Sequence, residues 1–365
     1  MAYNLTFMKK PTLLYLTLAL VGILHSCFGG SRGTGTPDQN TTENASRLNS
    51  AVITTKGRFI LDPSGERLVM RGVNEMFIWS PDFTGEELLP EIAKTGANTT
   101  RLVWLTDSSS TRATAANLDL LLQNCIDQGM FPMPELHDAT GDWDKLPAMV
   151  DYWVRPDVLQ VLKKHEAYLL LNIANECGGH EVSTEAFTDG YLKAVKRLRE
   201  AGLRCPLVID AAGWGQNLEQ LLEAAPALLE ADPLKNLIFS VHMWWPAEDG
   251  STLRIEQGLE RAVELNLPLI VGEFAPMGVG CKRFIDYHSI MARCQELQIG
   301  WLSWSWGAVP NGDCSEMDMT REPKRGSFEG LADWGLEVAV SHPQGIAAST
   351  VKSDFLKKMQ KEQRP

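Results

Sequence analysis

From residue 68 to residue 305, short apolar runs give way to helical patterns eight times. The runs read as strands over 68–74, 98–104, 131–137, 168–176, 207–212, 238–243, 269–273 and 299–305. They are nearly continuous in hydrophobicity, as expected for strands covered by helices on both faces of a parallel sheet. Amphipathic stretches lie between them. In 184–201, Leu192, Val195 and Leu198 share one face, and Lys193, Lys196 and Arg197 take the other. Thr184 opens that helix and Gly202 stops it. Eight such units in succession are enough to close a sheet on itself, so the expected fold is α/β, a single (β/α)8 TIM barrel. A hairpin of 58–61 with 68–70, turned at Asp62-Pro63-Ser64-Gly65, is expected ahead of it.

The C-terminal ends of barrel strands open onto one face, where chemistry is placed. Polar side chains gather at these ends: Arg71 and Asn74 on the first strand, Arg101 on the second, Glu135, His137 and Asp138 on the third. Asn175 and Glu176 end the fourth, His242, Trp244 and Trp245 follow the sixth, Glu273 closes the seventh, and Trp304, Ser305 and Trp306 close the eighth. A lone strand-end histidine is ordinarily a hydrogen-bonded core residue, and Arg101 could simply pair with a nearby carboxylate. Core packing does not explain so many strands ending this way. Glu176 and Glu273 suggest a task for the face, because paired carboxylates are what glycosidic bond cleavage needs. One protonates the leaving oxygen; the other attacks the sugar or activates water. A nearby Arg101 favours an ionised Glu273, and burial beside that anion would keep a proton on Glu176.

The net charge of −12 disfavours nucleic acid, polyanionic polysaccharide and acidic membrane surfaces as partners. Eleven tryptophans against six tyrosines fit a sugar-binding surface, although about half are expected in the core. Residues 1–27 read as a lipoprotein-type signal: Lys9 and Lys10, an apolar run over 12–24 too short for a bilayer, then the lipobox-like Leu24-His25-Ser26-Cys27. Cys27 is the expected lipidation site and new N-terminus, residues 28–50 a flexible tether, and 51–365 the catalytic domain. The protein is thus expected to be exported and attached to a bacterial membrane through its lipid alone, or otherwise secreted. Export permits disulfides. Cys281 and Cys314 fall in loops of one barrel face and are the expected pair, whereas Cys125 and Cys294 sit in helical patterns and are expected as buried thiols.

The segments Arg71-Gly72-Val73-Asn74, Asn98-Thr99-Thr100-Arg101, His137-Asp138-Ala139-Thr140-Gly141, Asn172-Ile173-Ala174-Asn175-Glu176, Asp210-Ala211-Ala212-Gly213-Trp214-Gly215-Gln216, Val241-His242-Met243, Gly272-Glu273-Phe274 and Gly300-Trp301-Leu302-Ser303-Trp304-Ser305-Trp306 together resemble glycoside hydrolase family 5. Within it, the chain is most similar to the bacterial endo-β-1,4-mannanases, over about residues 51–355. The resemblance implies a retaining endo-acting hydrolase of β-1,4-mannan or a related hemicellulose, with no cofactor and no metal, working as a monomer on polysaccharide. Glu176 would be the acid/base and Glu273 the nucleophile. Arg101 would hold the nucleophile, Asn175 would contact the 2-hydroxyl, His137 and His242 would line the cleavage subsite, and Trp304 would lie beneath the sugar. Trp214, within the mannanase-like stretch, is a further expected substrate contact. One position departs: where the family has a tyrosine that donates to the nucleophile, this chain has Trp244. The expectation is that the Trp244 indole N–H reaches the Glu273 region and that Trp245 turns outward toward a sugar. Three other readings are a β-1,4-glucanase of the same family, a surface lipoprotein that binds glycan with impaired catalysis, and a metal-dependent hydrolase using His137, Asp138 and His242. The segment 307–331 has no assignment from sequence.

Overall fold

The computed structural model of the protein describes residues 51–312 and 314–362. Residues 1–50, on which the expected signal, Cys27 and tether fall, lie outside the described residues. Eight parallel strands form one sheet: β1 (Arg71–Glu75), β2 (Thr99–Trp104), β3 (Phe131–Leu136), β4 (Leu171–Asn172), β5 (Leu207–Asp210), β6 (Leu237–His242), β7 (Leu269–Glu273) and β8 (Gly300–Ser303). Helices α1 (Leu88–Ala93), α2 (Ala115–Asp127), α3 (Leu146–Trp153), α4 (Pro156–Lys164), α5 (Thr184–Glu200), α6 (Leu218–Ala231), α7 (Ser251–Glu264) and α8 (Tyr287–Leu297) lie between them. The sheet order is β3-β2-β1-β8-β7-β6-β5-β4, so first and last strands pair, with Trp301 in register with Arg71. This is a (β/α)8 TIM barrel.

β3 and β4, the ends of that order, share no continuous ladder, and the composition of β3 explains it. The Phe131 N–H donates to Asn98 O on the β2 side, at 2.9 Å. The intervening residues Pro132 and Pro134 therefore turn their nitrogens toward β4, where proline has no hydrogen to donate. The seam is closed from the other strand: Leu170 N–H donates to Pro132 O at 3.1 Å, and Asn175 N–H to Leu136 O at 3.0 Å.

Inside the barrel Met70, Met133, Leu170, Val208, Ile238, Ile270 and Leu302 form an apolar layer, joined by Ile53, Ile60 and Leu356. Each such side chain taken fully from water contributes about 1.5–3 kcal/mol. Trp104, Trp153, Phe187, Phe239 and Trp301 fill the outer layer between strands and helices. Helix α5 starts where the sequence places it, with Ser183 accepting the Ala186 N–H as its cap, at 3.1 Å.

Several expectations need correction. The strand expected over 168–176 shrinks to Leu171–Asn172, because Glu166–Tyr168 forms a 3₁₀ turn and the chain bends away after Ile173. The N-terminal hairpin pairs Thr54–Lys56 with Phe59–Leu61. The expected turn at Asp62–Gly65 does form, with Gly65 N–H on Asp62 O at 2.9 Å, but its return is a single bridge from Leu61 to Arg67. Arg71 lies at the N-terminal end of β1 and not on the catalytic face. Its guanidinium donates to Met70 O (2.8 Å), Ile299 O (2.9 Å), Gln295 Oε1 (2.7 Å) and Ser349 Oγ (3.0 Å).

The 307–331 segment packs beside β1 and β8. Glu75, wholly buried at the end of β1, accepts the N–H groups of Met76 (2.8 Å), Ala308 (3.0 Å) and Val309 (3.3 Å). Burial nevertheless pushes its carboxyl up to about 7, against those donors. Trp306 Nε1 donates to Gly326 O at 2.8 Å. Cys281 and Cys314 are joined as expected, tying the loop after β7 to the one after β8, and Cys125 and Cys294 are buried thiols.

Candidate active site

Arg101 is the hub of the catalytic face. It is fully buried on β2, and every nitrogen of its guanidinium is engaged. Nη1 donates to Glu273 Oε1 at 2.7 Å and to Asn74 Oδ1 at 3.0 Å. Nη2 donates to Asn175 Oδ1 at 2.6 Å, Asn172 Oδ1 at 2.8 Å and Asp210 Oδ2 at 3.2 Å, and Nε to Asn172 Oδ1 at 3.0 Å. Glu135 stands 3.9 Å from Nη1. Burial opposes the charge of Arg101, but Glu135, Asp210 and Glu273 outweigh it and raise the guanidinium above its ordinary value.

Glu273 ends β7 beside His242, which ends β6. The ring of His242 fits between two glycines: a Cβ on Gly272 would come within 2.8 Å of Nε2, and one on Gly215 within 2.6 Å of Cγ. His242 Nδ1 lies 2.7 Å from Glu176 Oε1 and 3.4 Å from Glu273 Oε2, while Nε2 faces Asp210 Oδ2 at 3.6 Å. Glu176 itself sits past β4 at a left-handed φ of 43°, a conformation that costs a non-glycine residue about 1–3 kcal/mol. Its N–H points to Asp210 Oδ2 at 3.3 Å, and its C=O accepts the Gly141 N–H at 2.9 Å. Facing oxygens of Glu176 and Glu273 lie within 4.8 Å of each other.

The charges of this cluster are tuned by burial and by one another. Burial would depress the His242 imidazolium, but Glu273 and Asp210 outweigh it and carry it up to about 10, so Nδ1–H donates to Glu176 at neutral pH. Burial would raise Asp210, but His242 and Arg101 hold it at about 2. Burial pushes Glu273 up to about 7, with Glu176 adding to the effect and His242 and Arg101 opposing it. Arg101 thus favours the Glu273 anion, as expected, without overcoming the burial.

Aromatic rings flank the carboxylates. His137 Nδ1 is 2.9 Å from Glu135 Oε1, and its ring stacks on Trp304 with centroids 5.9 Å apart. Trp304 Nε1 donates to Asn311 Oδ1 at 2.9 Å. Trp79, 45% exposed, meets His137 edge-on at 5.6 Å. Trp214, 42% exposed, stands edge-on to His180 at 5.1 Å, above Gly141, where a Cβ would meet its Nε1 at 2.4 Å. Asn175 uses one amide hydrogen on Thr140 Oγ1 at 2.7 Å, which leaves its second free for a ligand.

Among the residues picked out from sequence, the structure joins Arg101, Asn175, Glu176, His242 and Glu273 directly and sets His137 and Trp304 alongside. It overturns the expectation for two tryptophans. Trp244 is half-buried, its ring packed against the core, and its indole makes no hydrogen bond to Glu273. Trp245 is buried, with the Arg254 guanidinium 3.9 Å over its ring, and does not turn outward. The trio of His137, Asp138 and His242 does not converge either, because Asp138 is occupied by Thr106 N–H (2.8 Å), Thr106 Oγ1 (2.9 Å) and Ser109 Oγ. Sequence reasoning passed over Asp210 and Trp79. Asp210 closes an apolar run just as Glu273 does, and Trp79 follows the first strand by four residues.

The cellulase model of glycosyl hydrolase family 5 matches residues 61–309. The chain is 34% identical over 288 residues to a mannan endo-1,4-beta-mannosidase of Salipaludibacillus agaradhaerens, covering 76% of this chain and 88% of the relative. It is 32% identical over 309 residues to one of Cellvibrio japonicus, covering 83% and 69%. Among solved structures it is similar to a beta-mannanase of Streptomyces thermolilacinus with mannohexaose, at 31% identity and a TM-score of 0.75, covering 84% of this chain and 98% of that one. With a family model spanning the barrel and a 34% identical relative matched over 88% of its length, the chain belongs to glycosyl hydrolase family 5 and is a glycoside hydrolase.

Proposed function

We propose that the protein is a retaining endo-β-1,4-mannanase in which Glu273 is the nucleophile and Glu176 the acid/base. The observation that carries the mechanism is the approach of the two carboxylates to within 4.8 Å. Retaining enzymes hold these groups about 5–5.5 Å apart, whereas inverting enzymes need roughly 6.5–9.5 Å to admit a water between them. Glu273, held by Arg101, attacks the anomeric carbon while Glu176 gives its proton to the departing oxygen. The resulting ester removes the negative charge from Glu273. Glu176 then takes a proton from water, which attacks the same carbon and releases the sugar with its original configuration. The free hydrogen on the Asn175 amide serves the 2-hydroxyl, a contact that strengthens as positive charge grows on the ring.

Mannan as substrate is supported by the relatives, three of which are mannan endo-1,4-beta-mannosidases, and by the similar Streptomyces thermolilacinus beta-mannanase solved with mannohexaose. Glucan is the second reading, favoured by a 29% identical relative described as a beta-mannanase/endoglucanase A, of Caldicellulosiruptor saccharolyticus. Hydrolysis of mannan, glucomannan, carboxymethyl-cellulose and xylan, with the product anomer followed by NMR, tests both parts. Cleavage of glucan with no action on any mannan rejects the substrate, and an inverted product rejects the mechanism. Glu273→Ala should lose activity about 10⁴-fold or more, and azide should partly restore Glu176→Ala on an activated substrate.

We propose further that the enzyme is exported, monomeric and anchored through a lipid on Cys27, a reading supported by Leu24-His25-Ser26-Cys27 and the polar stretch after it. Labelled palmitate should enter the wild-type protein, and equal labelling of Cys27→Ala rejects the anchor.

A further inference from the structure

Asp210 lies outside the acid/base and nucleophile pair, yet one of its oxygens touches the support of both. Oδ2 accepts from Arg101 Nη2 at 3.2 Å, and Arg101 in turn holds Glu273 at 2.7 Å. The same oxygen faces His242 Nε2 at 3.6 Å, too long for a hydrogen bond but close for opposite charges, and His242 holds Glu176 at 2.7 Å. It also receives the backbone N–H of Glu176, at 3.3 Å, where the chain adopts its left-handed turn. The other oxygen, Oδ1, is buried and makes no close hydrogen bond, the one hydroxyl acting on the carboxyl being that of Ser240 on the neighbouring strand. A buried carboxylate left half-satisfied is costly, and backbone structure alone does not call for one here. The strand needs no acid at this position, since β5 ends at Asp210 and its ladder is made by main-chain groups.

We propose that Asp210 is a positioning residue for the hydrolysis, fixing the two glutamates against one another through Arg101, His242 and the Glu176 main chain. It rests on the roles given above to Glu176 and Glu273. An anion at this point does two things that a neutral residue of the same shape does not. It faces the Nε2 side of the His242 imidazolium with an opposite charge, while Nδ1–H donates to Glu176. It also lends negative charge to a site whose other charged groups are Arg101, His242, Glu176, Glu273, Glu135 and His137, which favours the protonated form of His242. The low value of Asp210 and the high value of His242 agree with that arrangement.

The test is Asp210→Asn, with Asp210→Ser as a second variant, each checked for folding by thermal unfolding. Loss of the charge in the contacts to Arg101 and His242 predicts a kcat lower by about ten- to a hundredfold, with KM little changed because the aromatic subsites survive. Removing an anion makes proton loss easier for its neighbours, so both limbs of the pH–rate profile should move toward acid. A merely structural role would scale the profile without moving it. An unshifted profile, or kcat within about twofold of wild type, overturns the proposal. If neither variant folds, the His242 imidazole is titrated by NMR in the wild-type protein. It should remain protonated beyond about pH 8, and a midpoint near the ordinary value of about 6.5 overturns the proposal. Activity surviving in Glu273→Ala would reject the assigned roles themselves, an outcome separable from a failure at Asp210.

Discussion

Two arginines on neighbouring strands, Arg71 and Arg101, are both fully buried, and they have opposite purposes. Arg71 closes the lower end of the barrel with its charge answered by neutral groups: two backbone carbonyls, Gln295 and Ser349, with Trp301 5.2 Å away. Burial therefore lowers it to about 10. Arg101 faces Glu135, Asp210 and Glu273, and those anions raise it instead. Glu75 mirrors Arg71, since it is a buried acid answered by backbone N–H groups and pushed toward neutrality. Neutral partners solvate a buried ion for the sake of packing. Ionised partners make it a means of setting the charge of something else.

The sharpest test of this contrast is to remove each charge. Arg101→Met removes the guanidinium that faces Glu135, Asp210 and Glu273 and should cost about 3–5 kcal/mol of stability, with activity lost in whatever protein still folds. Arg71→Met strands only neutral acceptors, and should cost about 1–3 kcal/mol with kcat per folded molecule unchanged. Denaturant titrations alongside initial rates separate the two, and a fall in kcat for Arg71→Met would break the contrast.

A second test uses pH. On the proposed roles cleavage needs the Glu273 anion, and burial raises that carboxyl, so kcat/KM should fall as pH drops through a range above the ordinary carboxylate one. Arg101→Lys, whose compact charge cannot reproduce the fork, should push that limb upward. Glu75 supplies a stability counterpart. Its folded value exceeds its unfolded one, so its contribution is fully present below about 4.5 and is lost as pH rises through about 7. That loss amounts to roughly 3 kcal/mol, and wild type should give up its advantage over Glu75→Gln across this window in thermal unfolding. A constant difference between the two would contradict the burial argument.

The smallest effect is expected at Trp244. Its indole makes no bond to Glu273, so Trp244→Phe should keep kcat within about twofold, and Trp244→Ala should mainly raise KM. A tenfold fall in kcat for the Phe variant would show that the indole does reach the nucleophile during turnover.

Strand number, fold and the two glutamates were legible because buried parallel strands are written as apolar runs and barrel chemistry sits where those runs stop. Arg71 was misplaced for a related reason. A strand's sequence carries no mark of which end its hydrogen-bonded register will begin at, so Arg71 and Asn74 looked equally terminal. Asp210 was passed over because an acid ending a strand has meaning only through what faces it, here Arg101 from β2 and His242 from β6. Trp244 and Trp245 alternate in sequence, but beyond the strand that alternation no longer dictates a face, and Arg254 covers the ring expected to be outermost. The short ladder of β4 could have been anticipated from Pro132 and Pro134, whose effect falls on the neighbouring strand.

That proline seam divides the two proposed catalytic carboxylates by how firmly their strands are anchored. Glu273 ends a strand laddered on both sides, to β6 and to β8. Glu176 follows a strand laddered to β5 alone, with two isolated hydrogen bonds to β3. If the barrel breathes, it opens where the fewest amides must be released, and the amides of Leu170 and Asn175 should exchange with solvent ahead of those in β7. The group that must both give and recover a proton within one turnover thus hangs from the barrel's hinge side, while the group that must hold a sugar covalently is rooted in its rigid wall.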